Sequence, residues 1–305
     1  MSQKHKRRLI QNGINPTRFS RGQVKFYTYL IPICLVMALP IVFFFMNAFK
    51  PMEELLAYPP RFYVNRPTLD NFRRLFSISS STTIPASRYL FNSILSTALV
   101  MAASLCMSVS AGYALSKKRF KLRGAMMEIN NLALMFVAVA VMIPRYFVIA
   151  YTGLQNNFFA NVVPLLAMPV GLFLVKQFID QVPDTLVEAA VIDGAGDFRI
   201  LWRIIVPLVK PALATVSILS FQLSWNNAEA SMLYINNETY KTFAFYMQNL
   251  SAGGSSFLQN AAGGNSTAGA GVAAAAMLIM FLPNLILFIV LQSQVMNTMT
   301  HSGIK

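Results

Sequence analysis

Few residues in this sequence are of types that could perform catalysis, and those few are widely spaced. The only histidines, His5 and His301, lie near the two ends of the chain. Cys34 and Cys106 lie far apart in apolar runs, so neither a disulfide framework nor a zinc site is predicted. The sequence lacks a phosphate-binding G-x-x-x-x-G-K-[ST] loop and the H-E-x-x-H, G-x-S-x-G and C-x-x-C motifs. We therefore expect no catalytic residue, no metal site and no cofactor bound by this chain.

One segment, Val182–Pro207, combines charged, small and apolar residues in an unusual pattern. Thr185 and Glu188 fit a capping box, which predicts a short helix over Leu186–Ile192. Gly194 suits the C-terminal exit of that helix, because glycine readily adopts the left-handed backbone conformation.

The rest of this segment predicts a second short helix, which Asp197 caps and Pro207 ends. Its apolar residues are spaced at i, i+3, i+4 and i+7 and therefore share one face: Phe198, Leu201, Trp202 and Ile205. An apolar stripe on such a helix must be buried from water by another surface. Either it packs under the protein's own helices, or it lies in a groove of a partner and transmits force to the neighbouring elements.

The elements that hold this segment are predicted to lie in a membrane. Hydrophobic residues make up 55% of the chain and charged residues only 12%, about half of the charge that a soluble domain carries. The same composition excludes a disordered chain.

The first predicted span is Phe26–Phe49, which contains no charged residue. It is long enough to cross a hydrocarbon core of about 30 Å. A signal peptide is the competing interpretation, but its apolar core would be shorter and a small-residue cleavage site would follow it. We expect this helix to bend at Pro32 or Pro40.

Further apolar runs bring the number of predicted spans to six: Tyr89–Ser116, Ala125–Ile149, Asn161–Phe178, Pro211–Tyr234 and Ala270–Ser293. The sixth opens with the small-residue run Ala268–Ala276, which would let another helix approach closely. The fold class is therefore an all-α integral membrane protein with six transmembrane helices.

The distribution of basic residues sets the predicted orientation. Six spans place the segment before the first span, the loop Lys117–Arg123 and the segment Val182–Pro207 on one side of the membrane. These regions are rich in Lys and Arg, which makes that side cytoplasmic, together with both termini. We therefore interpret the net charge of +14 mainly as an indication of membrane orientation. Anionic lipid headgroups are a secondary partner, and nucleic acid is the weakest candidate.

The chain is accordingly divided into five parts. They are a basic cytoplasmic N-terminal segment (1–25), the first transmembrane helix (26–49), an extracytoplasmic cap loop rich in Pro and aromatic residues (50–88), a core of five transmembrane helices that includes the cytoplasmic segment 182–207 (89–295), and a cytoplasmic tail (296–305). Within the core, Ser251–Gly269 has the Gly, Ser, Asn and Ala composition of a flexible connector.

The sequence Glu188-Ala-Ala-Val-Ile-Asp-Gly-Ala195, followed by Ile205, Pro207 and Pro211, resembles the EAA loop of ABC importer permeases. The resemblance extends to Pro169–Phe178, to Ser224-Trp-Asn226 and to the tail Thr298–Lys305, and it is to carbohydrate-uptake permeases of the maltose-permease-like type.

This resemblance implies a permease subunit of a bacterial sugar importer in the cell membrane. It implies four kinds of partner: a second, related permease, two ATP-binding subunits that carry ATP and Mg²⁺, an extracytoplasmic solute-binding protein, and a sugar or oligosaccharide substrate. The EAA loop would couple to the ATPase, and the tail residues Gly303, Ile304 and Lys305 would also reach it. The implied coupling residues are Glu188, Ala189, Ala190, Asp193, Gly194, Ala195, Phe198, Leu201 and Trp202.

The sequence departs from the family pattern after Trp225-Asn226, where Asn227 and then Glu229 occur. A carboxylate in a membrane span is costly unless it has a partner or faces a cavity. Glu229 therefore lies either at the membrane surface or on a translocation cavity. In the second case Gln222, Trp225 and Asn226 would line the cavity with it, because their spacing places all four side chains on one helix face.

Two other functions stay open at this point. The chain could be a permease of the same architecture for a solute other than a sugar, or a subunit of a passive channel. A channel would leave the amphipathic segment Val182–Pro207 without a role, and its transport would not need ATP.

Overall fold

The computed structural model describes residues 21–55, 57–59, 61–77, 84–252 and 266–302. Every regular element in these ranges is helical, so the predicted all-α class is confirmed. The predicted tail contacts of Gly303–Lys305 and most of the predicted connector lie outside them. In chain order the helices are α1 (Arg21–Phe49), α2 (Met52–Leu55), α3 (Asp70–Ser77), α4 (Ala86–Lys117), α5 (Arg123–Met135), α6 (Met142–Tyr151), α7 (Val163–Leu166), α8 (Pro169–Asp180), α9 (Asp184–Ile192), α10 (Asp197–Leu208), α11 (Lys210–Trp225), α12 (Glu229–Leu233), α13 (Phe243–Ala252) and α14 (Ser266–Ser302), with 3₁₀ turns at Phe158–Asn161 and Glu238–Tyr240.

Three continuous helices in the described ranges are long and apolar enough to cross a membrane. Their apolar stretches are Val24–Phe49, Ala86–Lys117 and Ala270–Ser293, which correspond to the first, second and sixth predicted spans. The first is one helix that contains both Pro32 and Pro40.

One bent helix pair lies at the fourth predicted span, and the bend of a second pair lies just before the fifth. The stretch Phe158–Leu166 meets α8 at 41°, and α10 meets Lys210–Leu233 at 84°. Asn161–Phe178 is therefore not a single helix, and Pro211–Tyr234 is not one either, because α11 ends at Trp225 and α12 begins at Glu229. Pro169 begins α8 and Pro211 lies in the first turn of α11, the positions where proline has no backbone bond to lose.

The prediction of one continuous helix over Ala125–Ile149 was wrong. Helix α5 ends at Met135 and α6 begins at Met142, with turns between them. Pro144 lies in the first turn of α6. In an uninterrupted helix it would remove a backbone hydrogen bond and clash with the preceding turn, so the chain begins a new helix here.

Helix α4 is the central element of the packing. It lies against α8 on one side and α11 on the other, and α11 in turn packs on α14. Helix α14 also contacts α1, α2 and α3. The buried residues Ala274, Ala275 and Ala276 belong to these contacts, so the prediction that the small-residue run permits close helix approach is confirmed.

The region after α1 folds back onto the end of that helix. Asn71 of α3 is buried, and its Nδ2 donates to the carbonyl oxygens of Ala48 at 3.0 Å and Lys50 at 2.8 Å. These carbonyls have no partner further along a helix, so the Asn71 amide caps the end of α1. The described part of residues 50–88 is therefore folded against the end of α1.

Candidate functional site

The segment singled out by sequence forms two short helices, α9 and α10, joined by a turn. We call this pair the helix-turn-helix unit. Helix α9 begins at Asp184, two residues before the predicted start, and Pro183 precedes it with extended backbone angles. Thr185 therefore lies inside the first turn, and no side chain caps the helix. The capping box predicted for Thr185 and Glu188 was wrong.

The turn between the two helices depends on Gly194. Its φ is +77°, in the left-handed region that side chains with a Cβ disfavour. The amide of Ala195 donates to the carbonyl of Ala190 at 2.9 Å, and the amide of Gly194 donates to that of Val191 at 3.0 Å. These two bonds satisfy carbonyl groups at the end of α9. The predicted role of Gly194 as the exit of the helix is confirmed.

Helix α10 begins at Asp197 but is not capped by it. Gly196 occupies the cap position, and no side chain bonds to the first turn. Asp197 is not available because its carboxylate accepts from Lys118 Nζ at 2.6 Å and from the Tyr113 hydroxyl at 3.4 Å. The predicted N-cap role of Asp197 was therefore wrong.

Pro207 does not end α10, which continues to Leu208. The preceding residues, Leu201–Ile205, are π-helical, and the amide of Val206 donates to the carbonyl of Leu201. The wider turn gives room for a proline whose ring would otherwise clash with the carbonyl four residues earlier. The helical conformation is then interrupted at Val209, and α11 begins at the next residue.

The predicted apolar stripe on α10 divides into two faces. Leu201 is 7% exposed and Ile205 is fully buried, whereas Phe198 is 77% exposed and Trp202 is 44% exposed. Packing under the protein's own helices, one of the two interpretations of the stripe, therefore holds for Leu201 and Ile205. The other half stays open for a partner.

The buried face of the helix-turn-helix unit packs on two of the long elements. Ile200, Leu201 and Ile205 share one hydrophobic core with residues of α4 and α8. Ala190 belongs to this core, and Ala195 packs against it. The other members from α4 and α8 are Val109, Tyr113, Val175 and Ile179. This packing fixes the unit to the ends of both helices.

The opposite face of the unit is exposed and mixes acidic, small and apolar side chains. Glu188, Ala189, Asp193 and Gly194 lie on the surface. Ile192 next to them is 85% exposed. On α10, the exposed rings of Phe198 and Trp202 lie 6.1 Å apart and add further apolar area. We call the surface formed by Glu188, Ala189, Ile192, Asp193, Phe198 and Trp202 the open face.

A polar cleft of about 730 Å³ lies beside the start of α9. Its lining includes three basic residues from the end of α4, the following loop and the start of α5, and three carboxylates from α8 and α9: Lys117, Arg119, Arg123, Asp180, Asp184 and Glu188. From the sequence alone, we interpret these basic residues first as an orientation signal and second as a contact with anionic lipid headgroups. The structure places them around one cleft with carboxylates of α8 and α9, and Lys117 pairs with Asp184. These acidic and basic residues are far apart in the sequence, so their proximity was not predicted.

The four residues predicted to line a translocation cavity do not share one face. Helix α11 ends at Trp225, and Glu229 begins a separate helix. Trp225 is 3% exposed, and its Nε1 donates to the carbonyl of Met280 on α14 at 3.0 Å. Its role in the described structure is thus to hold α11 against α14. Gln222 and Asn226 are exposed.

Glu229 has a charged partner. Its Oε1 lies 3.5 Å from Arg145 Nη1 on α6, and both side chains are partly exposed. A carboxylate beside a guanidinium costs less in an apolar environment than an isolated one. This partner was not predicted, because Arg145 and Glu229 are far apart in the sequence.

Comparisons with known proteins decide the family. Residues 104–295 match the family described as binding-protein-dependent transport system inner membrane component. The chain belongs to this family. It is therefore an importer permease, and the resemblance carried by the EAA-type segment is confirmed.

Two curated relatives cover most of the permease. The maltodextrin transport system permease protein MalD of Streptococcus pneumoniae is 30% identical over 92% of this chain and 94% of its own length. The sulfoquinovosyl glycerol transport system permease protein SmoH of Agrobacterium fabrum is 27% identical over 87% of this chain and 88% of its own length.

A solved structure has the same fold. It is a bacterial ABC transporter involved in the import of the acidic polysaccharide alginate, and one of its chains superposes with a TM-score of 0.71. That chain is 24% identical, and the match covers 90% of this permease and 98% of that chain. None of the described residues of this permease forms a cluster of potential metal ligands.

Proposed function

We propose that this permease is one of two related membrane subunits of an ATP-driven importer for a sugar or oligosaccharide. The observation that carries the proposal is the helix-turn-helix unit, whose buried face is fixed to α4 and α8 while its open face is left for a partner. A passive channel would have no use for such a surface.

The proposed topology has six spans in the bacterial cell membrane, with both termini in the cytoplasm. Helices α5 and α6 together form the third span, which is broken before Pro144. The bent stretch Phe158–Asp180 forms the fourth span and the stretch Lys210–Leu233 forms the fifth. This arrangement places the helix-turn-helix unit in the cytoplasm beside the basic loop Lys117–Arg123, in agreement with the charge rule for orientation.

The open face is the proposed contact with the ATP-binding subunits, which hold ATP and Mg²⁺. Phe198, Trp202 and Ile192 offer apolar area that a groove can bury, and Ala189 lets the partner's backbone approach closely. The carboxylates of Glu188 and Asp193 can pair with basic groups of the partner. Ala190, Ala195 and Leu201 contribute from the inner face by fixing the unit to the spans.

The opposite end of the molecule is the proposed contact with the extracytoplasmic solute-binding protein. The folded cap, with α2 and α3, is bonded to the end of α1 through Asn71. Because the cap is bonded to α1, a movement of the cap on docking of the binding protein would also move this helix. The tail residues Gly303, Ile304 and Lys305 are proposed to reach the ATP-binding subunits on the other side.

The substrate assignment rests on the relatives. MalD belongs to a maltodextrin transport system, SmoH to a sulfoquinovosyl glycerol transport system, and the solved transporter takes part in alginate import. Each of these solutes is a carbohydrate or a carbohydrate derivative. Gln222, Asn226 and Glu229 remain the proposed cavity residues, because amide and carboxylate groups can bond sugar hydroxyls. Trp225 serves this cavity indirectly, as the buried contact that places α11.

Reconstitution tests the function. The chain is co-purified with its partner permease and ATP-binding subunits, placed in vesicles with the binding protein, and supplied with labelled oligosaccharides. We expect uptake only when ATP and the binding protein are both present. Uptake that continues without either would favour a channel. A binding protein that binds an amino acid and no carbohydrate would contradict the sugar assignment while leaving the importer assignment intact.

A further inference from the structure

The last two residues of α4 and the residue after them bind the helix-turn-helix unit and the end of α8 at three separate places. Ser116 Oγ donates to Asp180 Oδ1 at 2.6 Å, at the end of α8. Lys117 Nζ donates to the start of α9, and Lys118 Nζ donates to the first residue of α10. Three consecutive side chains therefore hold the end of α8 and the first residue of each helix of the unit. We call Lys117 and Lys118 the lysine clamp.

Lys117 is the buried member of the clamp. Its side chain is 6% exposed, and its Nζ contacts Asp184 Oδ1 and the carbonyl oxygen of Val182, each at 2.6 Å. An ammonium group this far from water is stable only while such partners are present. Any movement of the start of α9 away from α4 would leave this charge unpaired.

Lys118 holds the other helix of the unit. Its Nζ lies 2.6 Å from Asp197 Oδ1 and 5.9 Å from the centre of the Tyr113 ring. The Tyr113 hydroxyl donates to the same carboxylate oxygen at 3.4 Å. The hydrogen bond with Asp197 raises the pKa of Lys118 above its usual value, so the lysine is charged throughout the physiological pH range.

The packing below the clamp is close enough to transmit movement. A Cβ on Gly112 of α4 would lie 3.1 Å from Val175 Cγ1 and 3.4 Å from Ile179 Cδ1 of α8. Because α4 also packs on α11 and α13, a displacement of its Lys117 end reaches the centre of the bundle.

We propose that the lysine clamp is the positioning element that joins the helix-turn-helix unit to α4, so that a movement of the unit moves the second span with it. This inference rests on the proposed function, in which the ATP-binding subunits move the unit. Lys117 and Lys118 thus have a mechanical role beyond the orientation signal that their charges give.

The test is a charge exchange in the reconstituted complex. Lys118→Glu should lower solute uptake per ATP hydrolysed about fivefold, the effect of losing about 1 kcal/mol of coupling. The double variant Lys118→Glu/Asp197→Lys should restore most of it, because the pair is re-formed with reversed signs. Lys121→Glu is the matched control, since it changes the charge of the same loop equally at an exposed position.

Lys117 needs a different pair of variants because it is buried. Lys117→Met should lower uptake per ATP, and Lys117→Arg should retain most of it, since arginine keeps the charge and the donors. Co-purification of the ATP-binding subunits is measured for every variant to establish assembly.

Equal uptake per ATP in Lys118→Glu and Lys121→Glu would overturn the clamp, and so would failure of the charge exchange to restore coupling. Wild-type complexes that take up solute without ATP would overturn the proposed function and the clamp together. The two failures are therefore distinguishable by the wild-type measurement alone.

Discussion

Gly271 of α14 packs directly against the side chain of Asn71 on α3. A Cβ on Gly271 would lie 2.6 Å from Asn71 Oδ1 and 2.7 Å from Leu55 Cδ1. The same Asn71 amide caps the end of α1. One glycine therefore gives room for the contact that ties the cap, the first span and the last span together.

Gly271→Ala should lower the stability of this region by about 1–3 kcal/mol, because an added methyl group must displace buried neighbours. The measurement is thermal unfolding of the detergent-solubilised permease. Gly124→Ala is the matched control: Gly124 is also helical, and its Cβ would meet nothing within 4 Å. Equal melting temperatures in the two variants would contradict the packing described for Gly271.

The turn of the helix-turn-helix unit gives a second prediction. Gly194→Asp should leave membrane insertion intact but uncouple transport, because a side chain at φ +77° costs about 1 kcal/mol and disturbs the open face. Gly196→Ala is the control, since Gly196 has a φ of −71° and open space around it. Uptake and ATP hydrolysis are measured together. Normal uptake by Gly194→Asp would argue against a coupling role for this turn.

A third prediction concerns Phe198 and Trp202, the exposed half of the apolar stripe. Trp202→Asp should release the ATP-binding subunits in a pull-down, because a charge would enter the apolar contact proposed for the open face. Phe120→Ala is the control, an exposed aromatic residue in the loop after α4. Full retention by Trp202→Asp would show that the ring contributes nothing to docking.

Arg145 and Glu229 give a fourth prediction. Glu229→Gln leaves the guanidinium without its charged partner at 3.5 Å, and we expect lower stability of the α6–α12 contact by about 1 kcal/mol or less, because both groups are partly exposed. The exchanged pair Arg145→Glu/Glu229→Arg should recover part of it. A double-mutant cycle with no interaction energy would mean that the two charges do not interact.

The parts of the fold that sequence predicted well are those in which one signal dominates. Long uncharged runs predicted α1, α4 and α14, because the apolar length of a span is a strong constraint. Gly194 was also predicted correctly, since a helix exit followed by a new helix needs its backbone freedom.

The errors came from competition between local and distant partners. Asp197 and the start of α9 were assigned to local capping, but Lys118 and Lys117 bind the carboxylates of Asp197 and Asp184 instead. Those partners lie 79 and 67 residues earlier in the chain, directly after α4 and at its end, and no local pattern indicates them. Trp225 was placed on a cavity for the same reason, since its partner, the carbonyl of Met280, lies on another helix.

Prolines explain the breaks in the third and fourth predicted spans. Pro144 and Pro169 each lie in the first turn of a helix, so a new helix begins at each. Hydropathy joined the flanking helices into single spans, because the residues across these two breaks are apolar. The fifth predicted span is interrupted between Trp225 and Glu229, where no proline occurs.

Cross-linking from the open face tests the central claim most directly. A photoreactive amino acid replaces Ile192, which is 85% exposed, in the intact complex of permeases, ATP-binding subunits and binding protein. A second complex carries it at Tyr58 in the cap. We predict that position 192 cross-links to an ATP-binding subunit and that position 58 does not. Cross-links from position 192 only to lipid, to this chain or to the binding protein would contradict the account.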